Sequence, residues 1–247
     1  MIGHASSGTG SRRTQVAAVG LACVVSSTGN AACPPALQGS GDGTYYDADG
    51  SGNCSYPADP SDEMIAAINA PQWEGSAHCG ECLDVTGPLG SVRVRVVDQC
   101  PECQSGDLDL HPAAFARIAN IIDGRVPISW KRVDCPVTGN TITRVHEGSN
   151  SYYVSLTPDH HRHGIVAMSL QVGTTWQPMP RQDYNAFVLD DGNSHDPPIQ
   201  VRLEATTGET IEQTIQSLGV NAAFDSGQQF PACVDDLIFA NGFDPAG

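Results

Sequence analysis

Two aspartates, Asp98 and Asp109, flank a cysteine-bounded loop. It runs Val96-Val97-Asp98-Gln99-Cys100-Pro101-Glu102-Cys103 and then Gly106-Asp107-Leu108-Asp109-Leu110-His111-Pro112. Carboxylates set around a stiff loop beside a helix start are groups that an active-site groove uses to donate, accept or orient a proton. Cys79-x2-Cys82 and Cys100-x2-Cys103 have the spacing of a zinc ribbon, which would need four thiolates around one ion. His160-His161-x-His163 has metal-binding residue types, but it lies in a turn rich in Pro and Asp, where a solvated loop is the expected fate. Gly39-Ser40-Gly41-Asp42-Gly43 lacks both a lysine and a following helix, so it is not a phosphate loop.

The elements that must place these groups read as short strands, turns and two brief helices. Val92 to Val96 alternates apolar and polar residues at period two, the pattern of a half-buried strand, and delivers Asp98 at its C-terminal end. Asp59-Pro60 reads as the cap and first turn of a helix carrying Met64, Ile65 and Ile68. His111-Pro112 opens a second helix with an apolar stripe of Phe115, Ile118, Ala119 and Ile122. A turn-rich joint, Val137-Thr138-Gly139-Asn140, leads into apolar-alternating runs at 142–145, 153–156, 165–172, 186–189 and 199–203. Their spacing is that of an antiparallel sandwich, and so short a joint implies neighbours fixed against each other.

Length allows two small units, each able to bury a core, in a chain of 247 residues. The expected division is an export signal over 1–32, a first domain over 33–137, a second over 138–222 and a polar tail over 223–247. A net charge of -16, spread over every part, repels phosphate backbones and anionic lipid, so neither nucleic acid nor membrane is the expected partner. Ser11-Arg12-Arg13, an apolar run from Val16 to Val25 and then Gly29-Asn30-Ala31-Ala32 follow the order of an export signal, which implies secretion to the extracellular space. Arg12-Arg13 also resembles a twin-arginine signal, though Gln15 stands where that pattern has Phe. Removing the signal leaves eight of nine cysteines, an even number suited to disulfides in an oxidising compartment and favouring them over the zinc site. Eight cysteines can pair in about 105 ways. Cys33 and Cys233 either clasp the two tails or stay separate.

Gly43-Thr44-Tyr45-Tyr46, the Asp98–Phe115 stretch, Ser151-Tyr152-Tyr153 and Asp183-Tyr184-Asn185 together resemble the bacterial expansins, over about Gly41 to Leu218. The resemblance implies a six-stranded double-psi β-barrel followed by an immunoglobulin-like antiparallel β-sandwich. It also implies a monomer without cofactor or metal that binds cellulose or a related β-glucan, with xyloglucan or peptidoglycan as further partners. It aligns Asp109 with the aspartate that wall loosening requires, and Thr44 and Asp98 with positions that orient the sugar or the acid. Tyr46 lines the groove or packs beneath it; Asp98 on its own reads as a strand-end turn former, and Asp109 as a helix cap.

Tyr152, Tyr153 and Tyr184 match a row of aromatics that stacks on successive glucose faces. Adjacent strand residues point to opposite faces, so either a bend exposes both Tyr152 and Tyr153 or one of them is core. The pairings implied are Cys54 with Cys79, Cys82 with Cys135 and Cys100 with Cys103. Related inverting hydrolases add a second carboxylate about 6.5–9.5 Å from the acid; expansins lack it, so disruption of chain contacts without cutting is the expected activity. The alternative is a glycan-cleaving enzyme on the same barrel, an inverting β-glucanase or a peptidoglycan lytic transglycosylase. The latter usually carries Ser-Trp-Tyr-Gly where this chain has Gly43-Thr44-Tyr45-Tyr46. The run Asp235 to Asp244 resembles a short C-terminal tail of some secreted bacterial proteins. Trp130 is expected in the interface between the units, and Trp73 and Trp176 carry no assigned role.

Overall fold

The computed structural model describes residues 1–3, 33 and 36–233. Residues 4–32 of the expected export signal and the Asp235–Asp244 run therefore lie outside the described residues.

Six strands close a barrel: β1 (Gln38–Tyr45), β2 (Ile65–Asn69), β3 (Cys82–Gly87), β4 (Gly90–Cys100), β5 (Leu108–Leu110) and β6 (Val126–Val133). Their order around it is β1-β5-β2-β4-β3-β6, with β1/β5 and β2/β4 parallel and the other pairs antiparallel. The expected helix around Ile65 is a strand instead. Met64, Ile65 and Ile68 have helical spacing, but all five residues of β2 are buried, as in a central strand covered on both faces. Asp59 accepts from the backbone and hydroxyl of Ser61, so it forms a local turn rather than a helix cap. The other helix, α1 (Pro112–Ile118), starts where the sequence places it, capped by the His111 ring, which accepts from the Ala113 N–H. It ends earlier than the apolar stripe suggests, leaving Ile122 92% exposed.

Eight strands build the second unit: β7 (Ile142–Val145), β8 (Val154–Asp159), β9 (Ile165–Val172), β10 (Thr175–Met179), β11 (Phe187–Leu189), β12 (Ile199–Ala205), β13 (Thr210–Ile215) and β14 (Ala223–Asp225). They form two antiparallel sheets, β10-β9-β12-β13 and β11-β8-β7-β14. Met168, Leu170, Val201, Leu203, Phe187 and Leu156 belong to the core they share. The chain from Ala223 is not a free tail at its start, because β14 pairs with β7 and Phe230 is buried in that core.

Among the described residues four disulfides tie the chain: Cys33–Cys233, Cys54–Cys79, Cys82–Cys135 and Cys100–Cys103. The sulfurs of the two Cys-x2-Cys pairs thus have partners that exclude a shared zinc site.

The histidine run is a correction to the solvated-loop expectation: His161 and His163 are buried at the joint between barrel and sandwich. His161 bonds through Nδ1 to the His163 carbonyl at 2.6 Å, and His163 pairs with Asp134 at 3.1 Å. Gly80 must be glycine, since a Cβ there would fall 2.5 Å from both the His161 ring and the Tyr56 hydroxyl. Burial is the largest influence on His161 and lowers its pKa to about 4. Above pH ~6.5 both the folded and unfolded forms of this ring are neutral. Between ~6.5 and ~4 the unfolded chain alone takes the proton, so stability falls with pH, by about 3 kcal/mol from this group. Glu81, Asp134 and Asp159, all held below their ordinary range, add loss at lower pH. His161→Gln should therefore flatten the decline of Tm between pH 6.5 and 4 in calorimetry. Identical slopes in the two proteins would remove His161 from this account.

Candidate functional site

Strand register places three of the sequence-chosen groove residues in one row. Thr44 of β1 pairs with Asp109 of β5, Asp109 with Ala67 of β2, and Ala67 with Asp98 of β4. Laterally paired residues point to the same face of a sheet, so Thr44, Asp109 and Asp98 share one side, with only the Ala67 methyl between the carboxylates. Two strand spacings put the aspartate Cα atoms about 10 Å apart. Asp98 reaches this side because of an irregularity: the register slips between Ala66 and Ala67, and Val97 is the extra residue opposite them. Val96 and Val97 are consequently both fully buried. Asp98 lies inside β4, two residues before its end, rather than past the end of a shorter strand.

The two carboxylates differ in their hydrogen-bond partners. The Thr44 hydroxyl donates to Asp109 at 2.7 Å. Asp98 accepts on one oxygen, Oδ1, from the backbone N–H groups of Asn53 at 2.7 Å and Gln99 at 2.8 Å, which orient its carboxyl group. Gly52 passes so close that a Cβ would fall 2.5 Å from the Asp98 carboxyl carbon. Burial raises the Asp109 pKa above the ordinary carboxylate value; Thr44 and Arg125 oppose the rise, while Glu102 and Asp98 add to it. The helix that follows does not oppose it from a cap position, because His111 is the cap. Asp107 secures the loop, its carboxylate accepting from the N–H groups of Asp42 and Gln104. Tyr46 lies beside both groove aspartates; burial first, then the charges of Asp98 and Asp109, push its phenol well above the ordinary value. Its buried hydroxyl makes no well-formed hydrogen bond among the described residues.

The tyrosines of the second unit sit outside its core. Ser151 and Tyr152 form a turn in which the Asn150 side chain accepts from the N–H of Tyr152 at 2.9 Å and of Tyr153 at 3.2 Å. That turn resolves the adjacency problem: Tyr152 is exposed and Tyr153 half-buried, so neither is core. His195 braces the turn by donating its N–H to the Ser151 carbonyl, while its ring holds the Asp191 carboxyl below the ordinary range. The Tyr153 and Tyr184 hydroxyls meet at 3.5 Å. The His146 ring lies 5.1 Å from that of Tyr184, a neighbour the sequence did not reveal.

Tyr184 belongs as much to the barrel as to the sandwich. Its carbonyl accepts from the Ser55 hydroxyl at 2.7 Å, and the Asp183 carbonyl accepts from Asn53 at 3.3 Å and the Trp73 indole at 3.2 Å. Asn185 donates to the Cys54 carbonyl at 3.1 Å, and Ser76 to the Gln182 carbonyl at 2.7 Å. The segment 182–185 is thus docked on the strap closed by Cys54–Cys79, and Asn53 contacts both Asp98 and Asp183. Trp130 does not sit in the interface. It is a barrel core residue on β6 whose indole donates to the Gly106 carbonyl at 2.8 Å. Trp176 lies under the Arg202 guanidinium at 4.2 Å. Among the described residues no group of three or more His, Cys, Asp or Glu is placed to hold a metal ion.

Comparison with known proteins adds to this geometry. Residues 65–130 match the family model described as lytic transglycolase. The chain is 34% identical over 163 residues to expansin-YoaJ of Bacillus subtilis, covering 64% of this chain and 69% of that protein. It is 31% identical to expansin-like protein 5 of Dictyostelium discoideum, covering 76% and 83% respectively. A mutant expansin of Clavibacter michiganensis in complex with cellohexaose superposes with a TM-score of 0.74 at 32% identity, over 79% of this chain and 100% of that one. A closed double-psi barrel that carries Thr44, Asp109 and Asp98 in one row, followed by a β-sandwich, defines the barrel-and-sandwich class. The identities hold across both units. The chain belongs to the expansin family.

Proposed function

We propose that the protein is secreted, binds cellulose or a related β-glucan along the groove and the tyrosines, and loosens plant-type walls by exchanging hydrogen bonds without cutting chains. The barrel, 33–137, carries the loosening groove, and the unit from 138 onward carries the binding tyrosines. The carrying observation is the asymmetry of the aspartates. Asp109 is half-buried, bonded to a hydroxyl and raised in pKa, whereas Asp98 takes two backbone N–H groups on a single oxygen, which orient its carboxylate. A proton-bearing Asp109 can donate to a glycosidic or hydroxyl oxygen and weaken that oxygen's bond to a neighbouring chain. Turnover by hydrolysis would need a partner that activates water on the other face of the sugar. The Clavibacter expansin, whose structure holds cellohexaose, supports a glucan as the ligand.

The match to the lytic transglycolase model favours a second reading, glycan cleavage on the same barrel with peptidoglycan as substrate. Creep of heat-inactivated wall strips under constant load, run beside a reducing-sugar assay, separates the two. Creep without sugar release is the expected result. Release of oligosaccharides that tracks creep would replace loosening with cleavage.

A further inference from the structure

A cleft of about 620 Å³ opens where barrel and sandwich meet, and none of its lining residues belongs to the groove row or to the tyrosines. The barrel supplies Tyr56, Asp62 and Arg95 to it, and the sandwich supplies Arg144, Asp159 and His161. The charges of these groups balance in pairs. Arg95 meets Asp62 at 2.8 Å and reaches across the joint to Asp159 at 3.5 Å. Arg144 donates through Nε to the other oxygen of Asp159 at 2.8 Å. One carboxylate thus serves two guanidiniums, and the terminal nitrogens of Arg144 meet no acceptor among the described residues.

Deeper in, the cleft carries an acceptor without a donor. His161 Nδ1 faces the His163 carbonyl at 2.6 Å, and a carbonyl only accepts, so Nδ1 holds the proton and the neutral ring presents Nε2 as a bare lone pair. His161 is 2% and Tyr56 5% exposed. Neither Nε2 nor the Tyr56 hydroxyl makes a well-formed hydrogen bond among the described residues. The two atoms converge on one point, because a Cβ on Gly80 would stand 2.6 Å from Nε2 and 2.5 Å from the hydroxyl. Buried polar atoms left in this way call for a hydroxyl group beside them. An anion brings no hydrogen for Nε2 and would face Asp62 and Asp159, while a cation would face Arg95 and Arg144. A sugar hydroxyl both donates and accepts, so it suits the lone pair, the carboxylates and the free N–H groups together. The volume is that of a site for a small organic ligand.

We propose that this cleft is a second saccharide site, which takes a neutral glucose disaccharide between the two units, apart from the groove and the tyrosines. The choice of glucose rests on the proposed function; the demand for a neutral, hydroxylated ligand rests on the cleft alone. Because the ligand touches barrel and sandwich at once, its binding strengthens their docking.

The test follows the ¹⁵N resonance of His161 Nε2 by NMR during titration with cellobiose, in the parent and in the variant with Tyr152, Tyr153 and Tyr184 replaced by Ala. Saturable movement is expected in both, together with a Tm that rises with cellobiose concentration. Arg144→Gln on the sandwich and Asp62→Asn on the barrel should each weaken the response by about 10-fold, and Arg144→Lys by less. A His161 resonance that cellobiose leaves unmoved overturns the proposal. So does an equal response to sulfate, which marks an anion site, or a response that neither Arg144→Gln nor Asp62→Asn weakens. A saturable His161 response in a protein that neither binds cellulose nor produces creep keeps the cleft and rejects the proposed function. Cellulose binding and creep with an unmoved His161 do the reverse.

Discussion

Asp109→Asn should reduce wall creep by about 10- to 100-fold while leaving cellulose pull-down within about twofold of the parent. The substitution keeps shape and keeps an oxygen for the Thr44 hydroxyl, so the β1/β5 pairing that carries this contact should persist. What it removes is the acidic O–H. A hydrogen bond of this charged or strongly polarised kind contributes about 1.5–3 kcal/mol, which sets the range of the expected loss. Binding should survive because the tyrosines lie on the other unit, on a turn that Asn150 and His195 hold without help from Asp109. Creep retained at the parental level, with the fold intact by calorimetry, would place the active group elsewhere. Thr44→Val tests the same contact from the other side. It frees Asp109 of the one hydrogen bond that favours its anion and should extend creep to somewhat higher pH, unless the hydroxyl itself touches the sugar.

The chemistry-bearing residues were more legible than the elements that carry them. Asp98 and Asp109 stand close to a cysteine-bounded loop, and the pattern around them is local. Their alignment across Ala67 is not local, because it depends on β2 lying between β4 and β5, and β2 itself read as a helix. Five buried residues show no period that separates helix from strand. Strands β10 and β13 escaped for related reasons. Pro178 interrupts β10, which a sheet edge tolerates, and Gln213 occupies an inward position of β13 and blurs its alternation. The histidines near 161 are polar residues in a turn-like sequence, and their burial comes from distant parts of the chain, Gly80 beside the His161 ring and Asp134 and the Pro231 carbonyl on His163. Arg125 beside Asp42 and His146 beside Tyr184 meet residues far away in the chain, which no spacing rule reveals.

In the proposed function, the docking of 182–185 adds to the tyrosines what their exposure alone does not. An aromatic row on a freely hinged unit would hold a glucan anywhere along its length, whereas Tyr184, tied through its own carbonyl to Ser55, is kept in register with the groove. Replacing Tyr152, Tyr153 and Tyr184 together by Ala should therefore lower cellulose affinity by about 100-fold, taking about 1 kcal/mol for each ring lost. It should also abolish creep at protein concentrations where the parent is active. None of the three rings is buried in the sandwich core, so the triple variant should keep its fold. Ser55→Ala combined with Asn53→Ala probes the register instead. It deletes donors to the Tyr184 and Asp183 carbonyls and leaves every ring in place. Pull-down should then stay near the parent while creep falls, because the chain is still held but no longer aligned over Asp109. Equal losses of binding and creep in that variant would mean that the tyrosines and the groove act as independent sites.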